Sequence, residues 1–182
     1  DYHIFDGQNY VEIGKENCFQ IKTDMINTSG KEINGAEVYI PLPRMGEDWG
    51  KLTEDYDDFE FPVELASAVS LSDNAKKMLE DDENAFVISY GIDITPTSNV
   101  ADLKSQSEKF INEEEFDMTK LADVNCIKIT ADSIAPQKAS TDDEEAYIAA
   151  NTFSIYINAK ILGSASINNG QKDAWRPLYY IN

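Results

Sequence analysis

Histidine and cysteine are scarce in this chain: His3 is its one imidazole, and Cys18 and Cys126 are its two thiols. A closed structural zinc site takes four ligands drawn mainly from those residue types, so it cannot be filled here. Catalysis by a nucleophile and a histidine base fares no better. His3 lies near one end of the sequence with no candidate partner beside it, and it reads as a surface residue. There is no G-x-S-x-G elbow, no H-E-x-x-H pair and no glycine loop of the kind that cradles phosphate. Basic residues are also few, 15 against 34 acids, which leaves a net charge of −19. Such a surface repels phosphate backbones and anionic headgroups, and nucleic acid is excluded as a partner. No apolar run approaches the roughly twenty residues of a membrane-spanning helix, so membrane insertion is not expected.

What the sequence does have is alternation. In Cys18 to Met25, Phe19, Ile21 and Met25 fall on one side and Gln20, Lys22 and Asp24 on the other, the two-residue period of a strand that covers a core. Asn27-Thr28-Ser29-Gly30 is a turn. Ala36, Val38 and Ile40 then alternate with Glu37 and Tyr39 until Pro41-Leu42-Pro43 stops the strand, because proline cannot donate to a ladder. Phe59 to Leu65 repeats the pattern, with Pro62 marking an edge. Ser72 is an N-cap ahead of Ala75, Met78 and Leu79, which share a helical face. Ala85 to Thr95 is the most apolar stretch and predicts a central strand, with Phe86, Ile88, Tyr90, Ile92 and Ile94 on one side.

Residues 100 to 123 are polar and fit a helix, an irregular loop or a weak edge strand. Asn125 to Ala131 predicts another strand, with Ile127, Ile129 and Ala131 facing the core. Thr141-Asp142-Asp143-Glu144 fits a capping box before a short helix. Phe153 to Ile161 alternates most strictly of all. Asn168-Asn169-Gly170 is a turn, and Trp175 to Ile181 predicts a closing strand. Ahead of all these, residues 1–16 hold two short runs around Asp6-Gly7, which suit an N-terminal hairpin. Many short strands with few helical insertions predict an all-β fold, a two-layer antiparallel β-sandwich. At 182 residues this is a single domain, one that buries roughly 70% of its unfolded surface. It starts at Asp1 and ends at Asn182 within a strand-like run, and so reads as a domain excised from a larger protein.

Four groups of residues are candidates for a site. Asp55, Asp57 and Asp58 place carboxylates close together, the oxygen-rich setting calcium prefers, although the spacing lacks the glycine and distal glutamate of an EF-hand. The other reading of that run is a solvated acidic loop. Trp49, Tyr56 and Trp175 offer flat aromatic faces to a sugar or peptide, while Trp49 can equally fold back onto the end of the sandwich. Cys18 and Cys126 form a disulfide if their Cα atoms come within about 7 Å; otherwise they are two buried apolar thiols. Paired carboxylates of the glycosidase kind are no guide here, because with 34 acids some pair always has that look.

The turn Asn27-Thr28-Ser29-Gly30 and the stop Ile40-Pro41-Leu42-Pro43 together resemble the Ig-like, Cna-like repeat domains of Gram-positive cell-surface and adhesin proteins. The sequence departs from that pattern in having no Asp before Leu42-Pro43 and in the long acidic insertion that follows. The resemblance implies an extracellular, cell-wall or cell-surface location and a non-enzymatic role as a stalk or adhesion domain. Its partners would be neighbouring domains of the same protein and a host or environmental glycan or protein. It also implies a Lys–Asn isopeptide cross-link from Lys22 to Asn158 or Asn182, although Lys22 falls on the polar side of its strand. The alternative is a carbohydrate-binding module that uses Trp49, Tyr56 and Trp175, with calcium as the one ion it would call on and no other cofactor.

Overall fold

The computed structural model describes residues 18–25, 33–42, 44, 47–49, 63–76, 86–134, 153–161 and 178–180. Their strands form two antiparallel sheets. The smaller sheet places β8 (Phe153–Ile161) between β1 (Cys18–Met25) on one side and β3 (Val63–Leu65) with β4 (Ser70–Leu71) on the other. The larger runs in the order β6 (Phe110–Asn112), β5 (Val87–Ile92), β7 (Val124–Ile134), β2 (Ile33–Pro41), β9 (Leu178–Tyr180). This is the expected all-β sandwich with short helical insertions. The hairpin expected in 1–16 and the short helix after Thr141 lie outside the described residues.

The period of two decides the packing, because opposed residues in an antiparallel pair share a face. Across the larger sheet, Val38 stands opposite Ile129 and Ile129 opposite Ile88, while Ile40, Ile127 and Tyr90 form the next row. In the smaller sheet Ile21 stands opposite Ile157. These residues join Val63, Leu65, Ile155 and Ala159 in one core between the layers. At the edge of the smaller sheet, Ser72 Oγ accepts from the Ala75 amide at 3.2 Å and caps a helical turn at 73–76, as its position predicts. The same oxygen accepts from the Ser154 amide at 3.0 Å, which ties that turn to β8.

A second core covers the other face of the larger sheet. Tyr39, expected on the polar side of β2 with Glu37, is fully buried there with Trp49, Ile94, Leu103 and Cys126. The cover comes from segment 94–110, which holds the short helix α1 (Val100–Lys104), begun by Asn99 Oδ1 accepting from the Ala101 amide at 2.9 Å. Segment 100–123 thus contains a helix, a three-residue edge strand and 3-10 turns together. Ile94 reaches this second core because the alternation of β5 breaks. Between Gly91 and Ile92 the register with β7 shifts from Cys126 to Val124, leaving Asn125 as an extra residue, and Asp93 takes φ 55°. Gly91 makes room for the return: a Cβ there would stand 2.6 Å from Ile94 Cγ1 and 2.8 Å from Phe110 Cε1.

The two cysteines of the disulfide expectation belong to different sheets. Cys126 is a free, buried thiol. It sits in the outer core of the larger sheet, whereas Cys18 belongs to β1 of the smaller sheet. Burial pushes the Cys126 thiol far above its usual range, with the Glu47 charge adding to the effect and a backbone hydrogen bond opposing it.

Candidate functional site

The polar face of the smaller sheet is where the described residues gather side chains able to recognise a ligand. Strict alternation along β8 puts Ser154, Tyr156, Asn158 and Lys160 on one side, away from Ile155, Ile157 and Ala159 of the core. Pairing then places Asp24 opposite Ser154, Lys22 opposite Tyr156 and Gln20 opposite Asn158. On the other flank, Ser70 stands opposite Tyr156 and Glu64 opposite Lys160. The result is a polar array three strands wide, with Tyr156 at its centre.

Lateral hydrogen bonds hold much of this array in place. Gln20 Nε2 donates to Asn158 Oδ1 at 2.9 Å, and Asn158 Nδ2 donates to Ser67 Oγ at 3.0 Å, a chain of side chains that crosses the sheet. Lys22 Nζ donates to Asp24 Oδ2 at 2.8 Å, and Lys160 Nζ lies 3.4 Å from Glu64 Oε2. Ser154 Oγ, nearly buried, donates to Asp24 Oδ1. Two ammonium groups and two carboxylates therefore neutralise one another on this face, although the chain as a whole carries −19.

Asp24 makes the local electrostatics testable. Burial raises its carboxyl, but hydrogen bonds from Lys22 and Ser154 together with the Lys22 charge outweigh that, and its pKa lies below the usual aspartate range. A depressed folded pKa contributes stability that is present above the unfolded value and lost as pH falls through the folded one. Asp24→Asn should therefore destabilise the protein at neutral pH, and the gap to wild type should narrow as the pH falls from the ordinary aspartate value, near 3.9, through the lower folded one. Urea unfolding midpoints across that range measure it. A gap that stays constant with pH would show that the carboxylate charge is not what matters.

The structure treats the sequence candidates unequally. Lys22 and Asn158 come together on this face as diagonal neighbours, since Lys22 pairs with Tyr156 and Gln20 with Asn158. Each is engaged elsewhere, Lys22 with Asp24 and Asn158 with Gln20 and Ser67. Trp49 is only 3% exposed, with its ring in the outer core of the larger sheet. Its Nε1 donates to Glu47 Oε2 at 2.8 Å, and the same oxygen accepts from the Arg44 amide at 2.9 Å. The folding-back of Trp49 is what occurs, at a sheet face instead of an open end, and it leaves the ring no free surface for a sugar. Tyr56, Trp175, Asn182, His3 and the calcium candidates Asp55, Asp57 and Asp58 lie outside the described residues. Among the described residues no three metal-ligating side chains come together, and no helix is long and apolar enough to cross a membrane.

Tyr156, Gln20 and Ser67 were not singled out by sequence. The alternation of β8 assigns Tyr156 to the polar side, yet nothing in the sequence reveals that β1, some 130 residues away, lies alongside it. Compared with protein-family models, with curated proteins and with solved structures, the chain finds a match in none of the three.

Proposed function

We propose that this chain is a non-enzymatic module of an extracellular bacterial cell-surface protein, an Ig-like, Cna-like unit that serves as a stalk or adhesion domain. The observation that carries this reading is the bracing of the larger sheet from both sides. One face packs on the smaller sheet, and the other is closed by Leu103 of α1, Trp49 and Ile94. The Tyr90 hydroxyl, reaching from the larger sheet, accepts from the Val69 amide at 3.0 Å beside β4 of the smaller. A body braced in this way holds its surface features in fixed positions, which is what a spacer or an adhesive surface requires. The acidic composition keeps it soluble and repelled from anionic surfaces. Its partners on this reading are adjoining domains of the same protein and a host or environmental glycan or protein.

Two measurements test the proposal. A panel of glycoside and ester substrates should show no turnover by the whole chain. The encoding reading frame should carry a secretion signal and an LPxTG-type wall anchor around this segment. Turnover abolished by one carboxylate substitution would overturn the non-enzymatic reading, and a frame of cytoplasmic character would overturn the location.

A further inference from the structure

We infer that the polar face of the smaller sheet binds a neutral polysaccharide chain, with Tyr156 as its aromatic contact and Gln20, Asn158 and Ser67 as its hydrogen-bonding groups. The inference rests on the adhesion reading of the proposed function and names its ligand class. Charge narrows the choice first. With Lys22 held by Asp24 and Lys160 by Glu64, the described strand residues of this face offer no unbalanced charge to an ionic ligand, on a protein whose total charge is −19. Chemistry narrows it next. Protein-docking surfaces set their anchors within an apolar patch, whereas Tyr156 stands among polar side chains. The exposed large apolar residues of the described structure are Ile111 and Met118, neither of which lies in the smaller sheet.

Amides and hydroxyls around one tyrosine suit a ligand that is uncharged, rich in hydroxyls and apolar only on its ring faces. Gln20, Asn158 and Ser67 are already fixed by one another at 2.9 and 3.0 Å, so little side-chain freedom is lost when a sugar binds. Gln20 on β1 and Asn158 on β8 stand on adjacent strands, a spacing of roughly 4.8 Å that is close to the length of one pyranose ring, and Ser67 follows in the bend between β3 and β4. A linear chain lying across β1 and β8 would therefore meet a polar group on each strand and a third at the bend beyond them.

The test presents the whole chain to immobilised neutral oligosaccharides, namely β-glucans, xylans, mannans and chito-oligosaccharides, with acidic glycans as a comparison. Binding to at least one neutral series is expected. Tyr156→Ala should weaken it about tenfold or more. Gln20→Ala should weaken it less, and Ile111→Ala not at all. Thermal unfolding of each variant separates lost binding from lost fold, and Tyr156→Phe, which keeps the ring, should retain most of the affinity. Binding should also persist at high salt, as expected where charge plays little part. Absence of neutral-glycan binding would overturn the inference, as would binding that Tyr156→Ala leaves unchanged or that salt abolishes. None of those outcomes bears on whether the chain turns over a substrate, so this inference and the non-enzymatic reading can fail separately.

Discussion

Tyr90→Ala is expected to cost about 3–5 kcal/mol of unfolding free energy, the range for truncating a buried aromatic side chain. Tyr90→Phe, which removes one oxygen, is expected to cost about 1–3 kcal/mol. The ring is fully buried and lies 4.9 Å from that of Phe116, so its loss opens a cavity where the two layers meet. The hydroxyl accounts for the smaller change. It accepts from the Val69 amide at 3.0 Å and donates to Glu113 Oε1 at 2.6 Å. Without it the Val69 N–H stays buried and unsatisfied, whereas Glu113 is only partly buried and can turn to water. Glu113→Gln should therefore cost less than Tyr90→Phe, and denaturant unfolding of the three variants measures the order. Equal stabilities for wild type and Tyr90→Phe would show that the hydroxyl does not brace the layers.

The same phenol predicts behaviour in alkali. Burial pushes its pKa far above the ordinary tyrosine value, reinforced by the hydrogen bond to Glu113 and the charge there, and opposed by the Val69 amide. A raised folded pKa contributes stability that is complete below the unfolded value, near 10, and is lost as pH rises from there towards the folded one. Tyr90 should therefore stay protonated in the native state until alkaline unfolding releases it.

The main core was legible because half-buried antiparallel strands announce themselves by a period of two. Ile21, Val38, Ile40, Ile127, Ile129, Ile155 and Ile157 all face where their spacing puts them. The second core was not legible, since it is assembled from single apolar residues in a polar stretch. Leu103 and Phe110 have no periodic neighbours, and nothing near Tyr39 or Cys126 in sequence indicates that they will be covered. In β5 the alternation was misleading: Ile94 continues the count from Phe86, but the extra residue on β7 and the turn at Asp93 send it to the opposite face. The polar array was half legible. Each strand displayed its own polar side, but the pairing of β1 with β8 depends on contacts between distant parts of the chain, which local pattern does not encode. The resemblance carried by the turn and the Pro41-Leu42-Pro43 stop pointed to a β-sandwich, and the described residues form two antiparallel sheets compatible with one.

Asn125→Ala is expected to cost about 2–5 kcal/mol, because one side chain satisfies two buried backbone groups. Its Nδ2 donates to the Ile94 carbonyl at 2.8 Å and its Oδ1 accepts from the Ile94 amide at 3.0 Å. Ile94 is 2% exposed and Asn125 4%, so water does not readily replace either bond. The planar amide acts as a short substitute for a neighbouring strand at the point where β5 leaves the ladder. Loss of that tether should loosen the outer core first, since Ile94 packs there with Leu103, Trp49 and Cys126. Faster hydrogen exchange at the Ile94 amide and faster modification of the Cys126 thiol should appear before global unfolding. Asn125→Asp separates geometry from charge. An ionised carboxylate can accept from the Ile94 amide but sets a second acceptor against the Ile94 carbonyl, so this variant should be badly destabilised at neutral pH. A protonated carboxyl presents one acceptor and one donor, as the amide does. The folded pKa of the new acid should then be raised, and lowering the pH through it should recover part of the lost stability relative to Asn125→Ala. If Asn125→Asp and Asn125→Ala keep the same difference at every pH, the paired bonds to Ile94 are not what holds this corner of the fold.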